Sequence, residues 1–235
     1  MQFWYNISMK ISGFQKLSLV DFDGHISATV FVSGCNFACP FCHNAGLVKG
    51  LEPVIPEDEV LEYLQKRFGL LDSVCVSGGE PTLYPDLPQF ISKLKNIGYL
   101  IKLDTNGTNP EMVQYLVQNK LIDYIAMDIK NGLDEYNKTI GKEYNLDTIN
   151  KSIKYIMSCG IDYEFRTTLV NGLHSKKSIE DIAKLIKGAN KYYLQKFEDS
   201  GNCIASGLSA ISKDKAKSYL EYLIQYIPNT HLRGY

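Results

Sequence analysis

Short apolar runs alternate with amphipathic stretches along most of this chain. The runs are ATVFVSG (Ala28–Gly34), SVCVSGG (Ser73–Gly79), YLIKLDTNG (Tyr99–Gly107), IDYIAMDIK (Ile122–Lys130), IDYEFRTTLV (Ile161–Val170) and KYYLQKF (Lys191–Phe197). Most are apolar on consecutive positions rather than at every second one. That pattern suits strands buried on both faces, as in a parallel sheet. Between them lie PEDEVLEYLQKRFG (Pro56–Gly69), PDLPQFISKLKNIG (Pro85–Gly98), PEMVQYLVQN (Pro110–Asn119), NLDTINKSIKYIMSCG (Asn145–Gly160) and SKKSIEDIAKLIKG (Ser175–Gly188). Several open on proline and acidic residues and close on glycine, as helices start and stop. The alternation predicts successive βα units with right-handed crossovers.

Six strands at roughly 30 residues per unit fill residues 28–198. A complete eight-fold barrel takes about 250 residues, which leaves no room for the flanking segments. The expected fold is therefore α/β, a single domain built as a partial (β/α)6 barrel of parallel strands; a flat doubly wound sheet is the competing architecture. Residues 1–27 form the lead-in, with Lys10–Ile26 as a strand or hairpin turning at DFDGH. Residues 199–235 form a closing loop and a helix over Ser212–Ile227. The aromatic cluster Phe3, Trp4 and Tyr5 reads as an extra strand or a packing arm.

Polar residues collect where the strands end. Cys35, Gly78–Glu80, Asp104–Gly107, Asp128–Lys130 and Arg166 all lie at or near C-terminal strand ends. In a barrel of parallel strands that end carries the chemistry.

Composition narrows the possibilities. The chain has 235 residues, 45% hydrophobic and 22% charged, the mix of a globular protein. A net charge of −1 offers no basic footprint for nucleic acid. No apolar stretch approaches a membrane span, and MQFWYNISMK does not resemble a signal peptide. A cytoplasmic location is expected, where thiols stay reduced and a tight cysteine cluster points to metal binding or catalysis.

That cluster is CNFACPFC, with Cys35, Cys39 and Cys42 spaced Cys-x3-Cys-x2-Cys. Thiolates are soft ligands for zinc, copper(I) and iron–sulfur clusters. Three of them on one loop can bind three irons of a four-iron cluster, leaving the fourth open to a small molecule. A zinc site would want a fourth protein ligand; His43 is the nearest offer, but its adjacency to Cys42 makes chelation awkward. A redox pair Cys39–Cys42 leaves Cys35 without a role. Cys75 and Cys159 read as buried core thiols, and Cys203 as more exposed.

CNFACPFC resembles the cysteine motif of the radical S-adenosylmethionine (SAM) enzymes. The resemblance implies a [4Fe–4S] cluster on Cys35, Cys39 and Cys42. It implies SAM on the open iron, cleaved by one electron to methionine and a 5′-deoxyadenosyl radical. Phe41 would contact adenine. SGGEP (Ser77–Pro81) resembles the motif that meets the amino group of SAM, so Gly78, Gly79 and Glu80 are candidates; the glycines allow close backbone approach. LDTNG (Leu103–Gly107) and MDIK (Met127–Lys130) would place Asp104, Thr105, Asn106, Asp128 and Lys130 nearby, with Asp104 and Lys130 at the methionine end. Asp104, Thr105 and Asp128 could also hold a monovalent cation. The plainer alternative is that these Asp and Asn residues only shape turns. Arg166 suits bidentate pairing with a carboxylate and stacking on a nucleoside, or else a structural ion pair with Glu80 or Glu164. YYLQKFED departs from the family pattern on the sixth strand, and no residue is carried over there.

CHN (Cys42–Asn44), GFQKLSLVDFDG (Gly13–Gly24), MDIKNGLDEY (Met127–Tyr136) and RTTLVNGLH (Arg166–His174) resemble the activases of glycyl radical enzymes, in the form seen for anaerobic ribonucleotide reductase. That implies hydrogen abstraction from a glycine Cα on a partner. The partner would be this reductase or another glycyl radical enzyme such as pyruvate formate-lyase, with flavodoxin or ferredoxin as reductant. No cysteine-rich insertion lies between Asn44 and Ser73, so one cluster is expected. Two alternatives remain: a small-molecule enzyme of the 7-carboxy-7-deazaguanine synthase kind, and an iron–sulfur electron carrier. A carrier would have no use for the GGEP motif and the polar strand ends.

Overall fold

The structure, a computed structural model, describes residues 8–235. The Phe3, Trp4 and Tyr5 segment lies outside the described residues. The chain divides into two compact units, one comprising the described residues up to Asn36 together with Gly46–Ile125, the other Phe37–Ala45 with Ala126–Tyr235.

The first unit contains β1 (Ile11–Ser18), β2 (Ser27–Val32), α1 (Ala45–Val48, entered from the neighbouring segment), α2 (Glu57–Arg67), β3 (Ser73–Gly78), a 3-10 turn (Pro81–Leu83), α3 (Leu87–Ile97), β4 (Leu100–Thr105) and α4 (Pro110–Gln118). β1 runs antiparallel to β2, with the DFDGH segment in the connection as expected. β2, β3 and β4 are parallel neighbours, with Val30 opposite Val76 and Val76 opposite Leu103. Ser73, Val74, Cys75 and Val76 are all buried, so both faces of β3 are covered. This is why the run is continuously apolar rather than alternating. On α3, Leu87, Phe90, Ile91 and Leu94 are buried at helical spacing. Gly98 ends that helix at φ +113°, donating its N–H to the Leu94 and Lys95 carbonyls.

β5 (Tyr124–Asp128) carries the chain into the second unit, which holds α5 (Leu133–Ile140), α6 (Asp147–Ile156), β6 (Asp162–Leu169), α7 (Lys176–Leu185), β7 (Tyr192–Lys196), α8 (Lys213–Leu223) and β8 (Thr230–Arg233). β6, β7 and β8 are parallel. Ser175 and Ser178 cap α7 reciprocally. Ile149, Ile153 and Ile156 of α6, and Ile179, Ile182 and Ala183 of α7, are buried.

The predicted α/β class with parallel strands is observed, and β2 to β7 match the six predicted strands. Besides the short α1 and the 3-10 turn, two further elements go beyond the prediction. β8 is only THLR, too short to show a period, and is recruited by its register with β7, Leu194 opposite Leu232. α5 follows MDIKNG directly and buries only Tyr136, Thr139 and Ile140. Cys75 is buried as expected, whereas Cys159 is only partly covered, its Sγ 3.2 Å from the Ile156 carbonyl.

Tyr84 secures the end of β2. Its hydroxyl donates to the Ser33 carbonyl at 2.6 Å, and the Ser33 hydroxyl bonds that of Ser12 at 2.8 Å. Tyr84→Phe leaves a buried carbonyl unpaired. The expected loss is about 1–2 kcal/mol of unfolding free energy, read as a lower denaturant midpoint with unchanged slope.

Candidate active site

In the first unit, the residues around Cys35 are held mainly by backbone. Val32 and Gly34, which lead into Cys35, are met by the GGEP segment: Gly79 N–H donates to the Val32 carbonyl at 2.8 Å and Glu80 N–H to the Gly34 carbonyl at 2.9 Å. A Cβ on Gly79 would lie 1.9 Å from the Gly34 oxygen. One on Gly78 would lie 2.5 Å from both the nitrogen and the oxygen of Val32, and Gly78 has φ +112°. The sequence argument for glycine was close backbone approach. Within this unit the approaching backbone is the chain's own, immediately before the first cysteine.

Glu80 is fully buried. Its Oε1 accepts from Thr82 N–H at 3.1 Å, Thr82 Oγ1 at 2.5 Å and Thr105 Oγ1 at 2.8 Å, and its Oε2 from Asn106 N–H at 2.6 Å. Burial raises its pKa above the usual carboxylate value, and these hydrogen bonds oppose the rise. The carboxylate thus joins the end of β3 to the end of β4. Thr105 is occupied further, since its hydroxyl oxygen accepts from Gly107 N–H at 3.1 Å. Asp104 accepts from Ser77 Oγ at 3.0 Å and faces Lys102 Nζ at 3.7 Å. Lys102, which the sequence reading did not single out, is buried and donates to the Asp21 carbonyl.

Asn106 reaches back to the cysteine loop. Its Nδ2 lies 2.8 Å from Asn36 Oδ1 and 3.8 Å from Cys35 Sγ, while its Oδ1 accepts from Thr108 N–H and Thr108 Oγ1. Asn36 and Thr108 complete this cluster and had no place among the sequence candidates. Position alone could have flagged Asn36, since it follows the first cysteine.

In the second unit, Asp128 receives two cations: Lys130 Nζ at 2.8 Å and Arg166 Nε at 3.0 Å. Burial alone would raise the Asp128 pKa, but the two charges outweigh it and hold the carboxyl at about 2. Lys130 is pushed the other way: burial opposes its charge, yet Asp128 and Cys39 keep its pKa above the ordinary lysine value. Its ammonium stands 5.9 Å from the Phe41 ring centre. Arg166 thus has an ion-pair partner in Asp128, and Glu164 faces Arg233 at 3.4 Å.

His174 was quoted in the sequence only as part of a motif. Val170 N–H donates to its Nδ1 at 3.0 Å, so the proton sits on Nε2, which meets the Lys130 carbonyl at 2.8 Å. Burial lowers its pKa. The neutral ring anchors the main chain of Lys130 and packs edge-on to Phe41, centres 6.4 Å apart.

Cys39 and Phe41 are buried and Cys42 is partly exposed. Burial pushes the Cys39 thiol up to about 11, and Lys130 opposes that rise. A segment after β7 straps this loop: Ile204 N–H donates to the Cys42 carbonyl at 3.2 Å, and Ala205 N–H to the Pro40 carbonyl at 2.9 Å. Cys203 Sγ lies 3.8 Å from the Phe41 carbonyl, so this cysteine is partly covered by the loop rather than freely exposed.

Comparison with known proteins supplies the class of enzyme to which this chain belongs. The chain matches the Radical SAM superfamily over residues 29–187 and belongs to that superfamily. It is 37% identical over 193 residues to a protein of Methanocaldococcus jannaschii named as a putative glycyl-radical enzyme activating enzyme, covering 80% of each chain. Among solved structures it resembles Streptococcus suis SuiB bound to precursor peptide SuiA, with TM-score 0.68 and 17% identity, over 88% of this chain and 48% of that one. The chain thus spans about half the length of that neighbour. It also resembles a domain of pyruvate-formate lyase-activating enzyme from Bacteroides vulgatus, with TM-score 0.55 and 18% identity, over 69% of this chain and 99% of that domain. The fold is that of radical SAM enzymes, and the chain is an enzyme of this superfamily.

The superfamily implies a [4Fe–4S] cluster and SAM, and the donor set fits. Cys35, Cys39 and Cys42 lie within one short stretch with none of them in a disulfide, and a partly buried cation, Lys130, acts on Cys39. Among the described residues, no three His, Cys, Asp or Glu side chains close around one point as ligands of a single ion would. A four-iron cluster instead takes its thiolates at separate corners.

Proposed function

We propose that this protein is a glycyl radical enzyme activase. In this assignment Cys35, Cys39 and Cys42 hold the cluster, which when bound supplies the electron that cleaves SAM to methionine and a 5′-deoxyadenosyl radical. The observation that carries the reading is the partly buried Asp128–Lys130–Arg166 array, whose lysine stands beside Cys39 and Phe41. It offers a fixed cation for the SAM carboxylate and an aromatic face for adenine, on the same unit as two of the thiols. Lys130 is charged at any physiological pH, because Asp128 holds its proton in place. Arg166 and His174 fix that lysine indirectly, one through Asp128 and the other through the lysine carbonyl. In the first unit, Gly78, Gly79 and Glu80 present main chain to the SAM amino group, with Asp104, Thr105 and Asn106 from the next strand end. A monovalent cation at Asp104, Thr105 and Asp128 would compete with Lys102, Lys130 and Arg166 for those oxygens.

The name of the relative from Methanocaldococcus jannaschii and the CHN, MDIKNGLDEY and RTTLVNGLH motifs support a glycine as the hydrogen donor. Anaerobic ribonucleoside-triphosphate reductase is the proposed partner, and a pyruvate formate-lyase-type enzyme the second. A flavodoxin or ferredoxin would be the reductant and the cytoplasm the location. No helix among the described residues is long and apolar enough to cross a membrane.

The test is anaerobic. Reconstituted protein, dithionite, SAM and a glycine-loop peptide of the reductase deuterated at Cα are combined, and 5′-deoxyadenosine is analysed by mass. Deuterium in the product and a glycyl signal by electron paramagnetic resonance are expected. Deoxyadenosine formed without deuterium, from either partner's peptide or intact protein, would remove the activase assignment and leave a small-molecule enzyme.

A further inference from the structure

We infer that Asn106 is a positioning residue for the cluster: its side-chain amide donates a hydrogen bond to the Cys35 sulfur and thereby raises the reduction potential of the bound cluster. This rests on the assignment of Cys35 as a cluster ligand and adds to it a residue that sets how readily the cluster accepts an electron.

The direction of the Asn106 amide follows from its neighbours. Thr108 N–H can only donate, and it lies 3.0 Å from one terminal atom of Asn106, which must therefore be the oxygen. The Thr108 hydroxyl also sits 2.7 Å from that oxygen and donates to it. Having used its proton, this hydroxyl accepts from Asn36 Nδ2 at 2.8 Å. Asn36 Oδ1 is then the acceptor that takes one hydrogen of Asn106 Nδ2 at 2.8 Å. The ring of bonds is consistent in one sense only, and it leaves the second hydrogen of Asn106 Nδ2 for Cys35 Sγ, 3.8 Å away. Asn106 and Thr108 are both buried, so neither amide nor hydroxyl is free to reorient toward water.

The position is also held from behind. Glu80 Oε2 accepts from the Asn106 main-chain N–H at 2.6 Å, and Glu80 N–H holds the Gly34 carbonyl at 2.9 Å, one residue before Cys35. Donor and sulfur are therefore fixed to the same buried glutamate. The Cys35 thiol, protonated when it binds no metal, lies 4.0 Å from Asn36 Oδ1. Ligation removes that proton and turns the sulfur into an anionic acceptor, which strengthens the bond from Asn106. Reduction adds negative charge to the cluster. A donor at a ligand sulfur stabilises the reduced form more than the oxidised one.

The test is potentiometry of reconstituted protein followed by electron paramagnetic resonance, with iron and sulfide counted per chain. Asn106→Ala deletes the donor. Asn106→Asp keeps an oxygen for Thr108 but replaces the donor with an acceptor. Both are expected to retain wild-type iron content and to make the cluster about tenfold harder to reduce, a fall of roughly 59 mV for a one-electron couple, with the larger fall in the aspartate variant. Thr108→Val, which removes a ring partner but not the donor, should move the potential far less. An unchanged potential in either loaded Asn106 variant overturns the inference. So does equal movement in Thr108→Val, or failure of both Asn106 variants to load iron, since each would mark a purely structural loop contact. A wild-type protein that binds no cluster would instead overturn the assignment beneath it.

Discussion

Alanine at Cys35, Cys39 or Cys42 will leave a folded protein that neither retains four irons nor cleaves SAM. The two halves of this expectation have separate physical grounds. Stability changes little, because no disulfide is lost and the contacts of the Cys35 thiol to the Asn106 and Asn36 amides are long, 3.8 and 4.0 Å. Cys39 is the most buried of the three, and truncating so small a side chain costs about 1 kcal/mol. The loop itself stays in place, since main-chain bonds from Ile204 and Ala205 hold it. Function, by contrast, should be lost outright: a cluster on two thiolates has a second open iron and is exposed to loss. Iron content, visible absorbance and 5′-deoxyadenosine formation measure the second half, and thermal unfolding of the metal-free proteins the first. A variant that still produced deoxyadenosine would reject that cysteine as a ligand.

Gly79→Ala will do the reverse and damage the fold first. The new methyl carbon would be placed 1.9 Å from the Gly34 oxygen and 2.6 Å from its carbonyl carbon. Both are backbone atoms, so no side-chain rotation can relieve the clash. Moving Gly34 would break its bonds with Glu80 N–H and Leu47, and moving Gly79 would break its bond to Val32. A loss of about 3 kcal/mol is expected, near the upper end for overpacking, or a fall in melting temperature of roughly 6–12 °C. Because Gly34 directly precedes Cys35, iron loading should fall with it. Calorimetry of the metal-free variant decides the matter; an unchanged melting temperature would show that this contact is not tight.

Much of this was legible in the sequence because strand and helix leave different periods. The continuous run at Val74–Val76 declared a strand covered on both faces, and Leu87, Phe90, Ile91 and Leu94 a helix with one buried face. The cysteine spacing pointed to soft-metal chemistry before any fold, the chemistry that membership of the superfamily implies. The illegible parts depend on partners distant in sequence. THLR becomes a strand only because β7 lies beside it. Gly79 was marked for the close approach of a ligand, and no local pattern says that the Gly34 backbone approaches it as well. Glu80 was placed with the SAM contacts, and nothing local says that Thr82, Thr105 and Asn106 donate to its oxygens. Arg166 found Asp128 across 38 residues of sequence, a partner that no local pattern announces. Each of these choices is made by tertiary geometry, for which residue type is only a necessary condition.

The strap at Ile204 and Ala205 grips the cysteine loop through two peptide N–H groups. The side chains of these two residues take no part in those bonds. Mutation can change Ile204 and Ala205 and keep both bonds, provided proline is kept out of the two donor positions. A stretch tied to the cysteine loop is thus open to drift in side-chain identity, a place where lineages or engineers can retune recognition while the main-chain grip stays intact.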